Sequence, residues 1–351
     1  MPLSSAAVKA RARDLGFELC GIARGERHPK LARLAEWIAR GHAGDMAYLA
    51  RTLDERLDPA RVLPSVRSVV SLACVYNVEQ PYSVDVTEAD RVTISRYAWG
   101  EDYHDVLKRR LRSLVDWMAE ACGDGFEAFS SVDTAPVQER VFAEQAGLGW
   151  IGKNTCLINA DLGSWLFLAQ VFVSVDLEPD APATDQCGTC VRCLEACPTD
   201  ALVEPYALDA TRCLSYVTIE SRETVPSDMR AAIDRQVYGC DICQDVCPWN
   251  RRAATTDAPA WQAREGLAFP KLVDLCRLSD DAWRTHLKGS AMRRAGLKRV
   301  RRSLAYAAAH LPEADARAAL DALAAHPSAA EPQVAEAVAW SRREVSADPS
   351  W

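Results

Sequence analysis

No stretch of the 351-residue chain approaches the roughly 18 uninterrupted apolar residues of a membrane-spanning helix, so such a span is excluded. The start, MPLSSAAVKARARDLGF, lacks an apolar core of signal-peptide length. The expected compartment is therefore the cytoplasm, where thiols stay reduced and disulfides are rare. A structural zinc site is not indicated either. Zinc knuckles come as C-x2-C pairs, without the third cysteine and the C-P ending found in this chain. At 49% apolar residues and a formal net charge of -8, the chain reads as an ordinary soluble protein with room for two or three domains.

What is present is a cysteine framework. CGTCVRCLEACP sets Cys187, Cys190, Cys193 and Cys197 in C-x2-C-x2-C-x3-C-P order. CDICQDVCPWN sets Cys240, Cys243 and Cys247 in C-x2-C-x3-C-P order, with Cys213 alone between the two runs. In this ferredoxin pattern three thiolates of a run hold one 4Fe-4S cluster and the fourth crosses to the other. The expected sets are Cys187, Cys190, Cys193 and Cys247 on cluster one, and Cys197, Cys213, Cys240 and Cys243 on cluster two. Pro198 and Pro248 end the short helical turns after the crossing cysteines. Cys20, Cys74, Cys122, Cys156 and Cys276 lie among apolar neighbours and are expected to be plain buried thiols.

Strand-like and helix-like runs alternate through residues 1–176, which predicts an α/β domain. FELCGIA, SVVSLACVY, FEAFSSVD and SWLFLAQVFVSVDL read as strands; the segment after Ser5, LARLAEWIAR and DVLKRRLRSLVDWMAEAC read as helices. The polar linker EPDAPATDQ leads into a ferredoxin-like domain over residues 177–262. Residues 263–351 are alanine-rich and helical throughout, suggesting helical repeats.

Three features bear on chemistry. Gly147, Gly149 and Gly152 spell G-x-G-x-x-G, but after a helical stretch and before the strand TCLIN. A dinucleotide site needs the opposite order, so nucleotide binding is not expected there. Asp133 ends an apolar strand and precedes Thr134, Ala135 and Pro136. Its carboxylate either caps a helix starting at Pro136 or, with its pKa raised by apolar neighbours, serves as an acid at a strand end. Thirdly, the segment Arg284–Arg302 has no acidic residue. It holds Arg284, Lys288, Arg293, Arg294, Lys298, Arg299, Arg301 and Arg302, the kind of surface that phosphate contacts require.

Taken in order, ERLDPARVLP, SRYAWGEDYH, VDTAPVQER, AGLGWIGKNTCLIN, the two cysteine runs, CLSYVTIE and GSAMRRAGLKRVRRSLAYAAAHL resemble the epoxyqueuosine reductases from Glu55 to about Leu311. The resemblance implies an α/β corrinoid-binding domain, a ferredoxin-like double 4Fe-4S domain and an all-α HEAT-like C-terminal domain. It implies a cytoplasmic oxidoreductase using cobalamin and two 4Fe-4S clusters to reduce the epoxide of epoxyqueuosine to queuosine at the tRNA wobble position. The tRNAs would be those for aspartate, asparagine, histidine and tyrosine. A low-potential donor such as flavodoxin or ferredoxin would supply electrons to a monomer.

The family's proton donor falls on Asp133. Corrinoid contacts are expected from Arg56, Tyr97, Lys153, Asn154, Ser215 and Thr218. Some relatives have a cysteine near cobalt where this chain has Arg96, Tyr97 and Ala98, so no thiol is required there. Contacts to tRNA are expected from Lys288, Arg293, Arg294, Lys298, Arg299, Arg301 and Arg302. Two other classes share features with this chain. A plain two-cluster electron-transfer protein would bind no corrinoid. A reductive dehalogenase or cobalamin-handling protein would share metal and clusters, but an exported dehalogenase would carry a twin-arginine signal and no basic tail.

Overall fold

The computed structural model describes residues 3–347. Helix α1 (Ser5–Asp14) is capped by Ser4, whose Oγ accepts from Ala7 N at 3.2 Å. Strand β1 (Leu19–Arg24) follows, then the short helices α2 (Arg33–Ala39), α3 (Ala47–Arg51), α4 (Leu53–Leu57) and α5 (Pro59–Val62). Next come β2 (Ser68–Val75), β3 (Thr93–Ile94), α6 (Tyr103–Cys122), β4 (Ala128–Ser131) and α7 (Glu139–Gln145). The hairpin β5 (Trp150–Ile151) and β6 (Leu157–Ile158) leads to β7 (Leu166–Val173).

Four strands form one sheet in the order β1-β2-β7-β4, antiparallel at every pairing. All of β2 is buried, as its unbroken apolar sequence requires. Alternation along β2 sends Val70 and Leu72 into a core with Val8, Ala12, Leu107 and Leu111 of α1 and α6. Val69 and Ala73 point the other way, to Val141 and Phe142 of α7. Because the sheet is antiparallel, the rule placing ligands at the carboxyl ends of parallel strands does not apply to Asp133.

The cysteine-rich segment contains α8 (Arg192–Glu195), α9 (Leu214–Ile219), β8 (Gln236–Tyr238) and α10 (Ile242–Asp245). Strand β8 pairs in parallel with β3, stitching this segment to the first. Helices α11 (Leu272–Arg277), α12 (Asp280–Leu287), α13 (Gly296–Ala308), α14 (Glu313–Ala324) and α15 (Pro332–Ala347) close the chain. Helix α13 packs against α11, α14, α15, α9 and β8, and every residue from Val300 to Ala308 is buried. One apolar core runs through all three segments, taking in Ile22, Leu214, Tyr238, Leu304 and Val345. Among the described residues no helix is long and apolar enough to cross a membrane.

Candidate functional site

The two cysteine runs each fold through a single helical turn, α8 and α10, before their C-P ending. Cys187 packs with buried Cys247 against Trp150 and Ile158. Burial, and then the charges of Cys187 and Cys190, push the Cys193 thiol up. Cys247 is pushed up to about 11 by burial, with Cys187 and Cys193 adding to it. In the second group burial raises Cys213 and Cys240, with Cys197 beside both and Cys213 beside Cys240. Cys243 is raised by a hydrogen bond with Cys156, by burial, and by Cys240 and Cys213. The eight thiols thus have as neighbours the members of their two expected sets. Among the described residues no three are drawn into a metal's coordination sphere. Cys156 lies against a cysteine of the second set, and Cys20, Cys122 and Cys156 are only partly buried. These three correct the expectation of plain buried thiols.

The glycine turn supports the cysteines as well. Lys153 Nζ donates to the carbonyls of Gly188 (2.7 Å) and Cys190 (2.9 Å), and Asn154 Nδ2 donates to that of Cys243 (3.3 Å). Both side chains are buried in holding the cysteine loops, which takes them away from the expected corrinoid contact. Gly149 is needed where it stands, since a Cβ would lie 2.2 Å from Ile158 O. Thr218 is 0% exposed; its Oγ1 donates to Leu214 O (2.8 Å) and accepts from Gly239 N (2.9 Å). It is structural rather than cofactor-facing. Arg96 is likewise buried, donating to the carbonyls of Val78, Gln80 and Pro81.

Asp133 sits two residues beyond β4 with φ +56°, in the left-handed region. It is not a helix cap: α7 begins at Glu139, after Gln138. Glu139 explains the difference. Its Oε1 accepts from Asp133 N (2.8 Å) and from Ser131 Oγ (2.9 Å), pulling the chain into a tight turn that Pro136 cannot open into helix. Burial, and then the charge of Asp133, push the Glu139 carboxyl up to about 7.

The Asp133 side chain, 54% exposed, faces His104 from α6: Oδ2 lies 3.3 Å from Nε2. His104 Nδ1 is 2.7 Å from Oδ1 of Asp102, the N-cap of α6. Burial alone would lower the His104 pKa, but its hydrogen bonds to the two carboxylates prevail and raise it to about 9. Burial pushes the Asp133 carboxyl up, yet the hydrogen bond and charge of His104, then Arg294 and the Tyr103 hydroxyl, hold it below its ordinary value. The expected apolar, proton-retaining carboxyl is therefore corrected. At neutral pH the proton is on the imidazole and Asp133 is charged.

Around this pair lie Tyr48, Arg56, Glu220 and Arg294. Arg56 Nε donates to Thr52 Oγ1 (3.0 Å), and its terminal nitrogens have no hydrogen-bond partner among the described residues. Arg294 Nε donates to Glu220 at 2.5 Å. Tyr97, half-buried, donates to Tyr238 Oη at 3.0 Å. Ser215, on the first turn of α9, is half-buried with no side-chain partner among the described residues. His104, Glu139 and Glu220 were not singled out in the sequence. The D-x-H sequence at the start of a helix was the available signal, because it places an imidazole over its own cap.

The basic segment divides. Lys288 and Arg293 are exposed, with no ion-pair partner among the described residues. Arg294 pairs with Glu220, and Lys298 pairs with Glu331 at 2.6 Å. Arg299 is turned onto the carbonyls of Ser221 and Ala295. Arg301 and Arg302 are 0% exposed. Arg301 binds Asp280 at 2.6 Å, and Arg302 donates to the carbonyls of Val217, Ser221 and Glu223. Neither can reach a phosphate, because both lie in the buried stretch of α13 from Val300 to Ala308.

Two four-cysteine groups, one of them opening a short helix whose far end holds Arg294, and a carboxylate–imidazole pair beside that arginine define an iron–sulfur oxidoreductase. The family model described as epoxyqueuosine reductase QueG, DUF1730, matches residues 56–134, and one described as 4Fe-4S double cluster binding domain matches residues 186–250. An epoxyqueuosine reductase of Xanthomonas campestris is 39% identical over 91% of this chain and 90% of its own. A crystal structure of epoxyqueuosine reductase with a tRNA-Tyr epoxyqueuosine-modified stem loop superposes with a TM-score of 0.87 at 29% identity, over 98% of this chain and 90% of that one. A Bacillus subtilis epoxyqueuosine reductase, whose aspartate catalytic loop is swung out of the active site, gives 0.85 at 28% identity over 98% and 91%. The chain belongs to the epoxyqueuosine reductase family.

Proposed function

We propose that this protein reduces the epoxide of epoxyqueuosine at the wobble position of tRNAs for aspartate, asparagine, histidine and tyrosine, giving queuosine and water. The balance is two electrons and two protons per epoxide. The observation that carries the reading is one short helix, α9. Cys213, assigned to cluster two, opens it, and Glu220 at its far end holds Arg294 beside Asp133. Six residues at 1.5 Å each put Cys213 and Glu220 about 9 Å apart along that helix, and Arg294 carries the connection from Glu220 to Asp133.

Cysteines 187, 190, 193 and 247 would hold one 4Fe-4S cluster and cysteines 197, 213, 240 and 243 the other. The chemistry of the donors fits, four thiols to each group. Polar groups left unengaged also suit a corrinoid. Arg56 offers unengaged guanidinium nitrogens, Ser215 an unengaged hydroxyl and Tyr97 a half-buried ring, all suited to a broad ligand edged with carboxamides. Cobalamin bound there supplies a centre that gathers single electrons and attacks a strained ring. Asp133 protonates the oxygen as its bond to carbon breaks. Its left-handed turn, tied by Glu139, leaves the carboxylate half-exposed beside His104, and the aspartate loop of the Bacillus subtilis enzyme supports that role.

Residues 1–176, 177–262 and 263–351 would serve as cobalamin-binding, cluster and HEAT-like tRNA-binding parts. The protein would work as a cytoplasmic monomer fed by a flavodoxin or ferredoxin.

The test is single-turnover conversion of an epoxyqueuosine-bearing tRNA stem loop by anaerobically reconstituted protein, parent against Asp133→Asn. The amide keeps the shape and cannot deliver a proton. The variant should retain clusters and bound cobalamin while turning over roughly a hundredfold slower or worse. A near-parental rate would move the acid to another group.

A further inference from the structure

We propose that His104, clamped between Asp102 and Asp133, is the positioning residue that stores the proton Asp133 delivers to the leaving oxygen. The inference rests on Asp133 as the acid and adds where its proton comes from. Geometry makes the case. The two ring nitrogens are both engaged, Nδ1 by Asp102 at 2.7 Å and Nε2 by Asp133 at 3.3 Å, so a neutral ring could donate to only one of the two carboxylates and a charged ring donates to both. Asp102 is fixed as the cap of α6, and the Tyr103 ring packs on the imidazole with centroids 4.0 Å apart. The imidazole therefore has one orientation, and its Nε2–H points at the half-exposed carboxylate.

The charges facing this group come from four directions. Asp102 and Tyr103 belong to α6 itself, and Asp133 comes from the turn after β4, with Glu139 of α7 behind it. Arg293 acts on Asp102 and Arg294 on Asp133 from the turn before α13; Glu220 of α9 neutralises Arg294. Tyr48 and Arg56 close the remaining side. Two carboxylates in hydrogen-bonding contact outweigh the burial of the ring, which accounts for a pKa of about 9.

The transfer is balanced within the reaction. As the carbon–oxygen bond breaks, the Nε2–H bond of His104 breaks, the ionised Asp133 takes that proton on Oδ2 and passes the same proton to the departing oxygen, so that Asp133 ends as a carboxylate again. His104, now neutral, is recharged by water through the open side of Asp133. The second proton follows the same route and the oxygen leaves as water. Both electrons come from the flavodoxin- or ferredoxin-type donor, which is oxidised; His104 and Asp133 move only protons.

Two measurements on the cluster-loaded protein test this. The first is the pH profile of single turnover for His104→Gln, with cluster absorbance and stem-loop binding recorded as checks on folding. The parent should hold its rate up to about pH 9, where the stored proton is lost. The variant leaves Asp133 as a lone carboxyl, so its rate should fall about tenfold per pH unit from pH 6 upward. A profile parallel to the parent's, lowered uniformly, would make His104 merely structural and overturn the proposal. The second is the 15N titration of the His104 ring in the oxidised protein. Both nitrogens should stay protonated at pH 8 in the parent and release a proton at lower pH in Asp102→Asn. A midpoint near the ordinary histidine value in the parent overturns the proposal even if the glutamine variant does not fold. If Asp133→Asn is fully active, the acid assignment itself fails. If that variant is inactive while the His104→Gln profile does not move, only the proton store fails.

Discussion

Replacing Arg302 with methionine distinguishes a buried structural arginine from a tRNA contact. Its guanidinium, wholly enclosed, donates to the carbonyls of Val217, Ser221 and Glu223, and so fastens the segment that carries Glu220. Hydrogen bonds from a charged donor contribute about 1.5–3 kcal/mol each, so three amount to roughly 6 kcal/mol. The lower part of that range is the better guide, because Ser221 O keeps a second donor in Arg299. Burial without a carboxylate partner lowers the Arg302 pKa to about 10, and removing the charge returns roughly 3 kcal/mol of that cost. Methionine fills most of the space left by the side chain, so the net loss is about 2–3 kcal/mol, a fall of several degrees in the melting midpoint. The assay is thermal melting of the anaerobic, cluster-loaded protein, with titration of a tRNA stem loop at two salt concentrations. The salt slope should be that of the parent. A flattened slope with an unchanged melting midpoint would refute the argument, since it would require Arg302 to meet a phosphate.

The complementary variant, Lys288→Glu with Arg293→Glu, should leave melting nearly unchanged. It should weaken stem-loop binding and reduce the salt slope by about one for each phosphate no longer neutralised; equal affinity at both salt concentrations removes this surface from the interface. For the clusters, Cys197→Ser should lower iron content and abolish the EPR signal of cluster two, sparing most of cluster one. Loss of cluster one instead would overturn the crossing of ligands between the two runs.

The parts of the site that were legible in the sequence are those fixed by short-range chemistry. Spacing in a cysteine run is set within a dozen residues, so each run with its C-P ending could be recognised without knowing the fold. The glycine turn follows a helix, α7, and leads into a strand, β6, as its sequence indicates, because that order is local. Asp133 was found by family resemblance, but its state was not. Its carboxylate is governed by His104, 29 positions away, and by Arg294 from the far end of the chain. Neither interaction has a local signature, and together they reverse the pKa direction that apolar neighbours alone would give.

The cap alternative failed at the same point, because a glutamate beyond the turn, Glu139, took the backbone N–H that shapes it. The basic segment shows the limit from the other side. A run of like charges was counted along the chain, although charge acts through faces. From Val300 to Ala308 every face of α13 is covered, so Arg301 and Arg302 had to find acceptors inside the protein. What made the exception readable in hindsight is the run SLAYAAAH that follows them, too apolar all round for a helix with a solvent side. Charges preceding such a run belong first to the packing of that helix, and only those before its first buried turn, here Lys288 and Arg293, remain free for a polyanion.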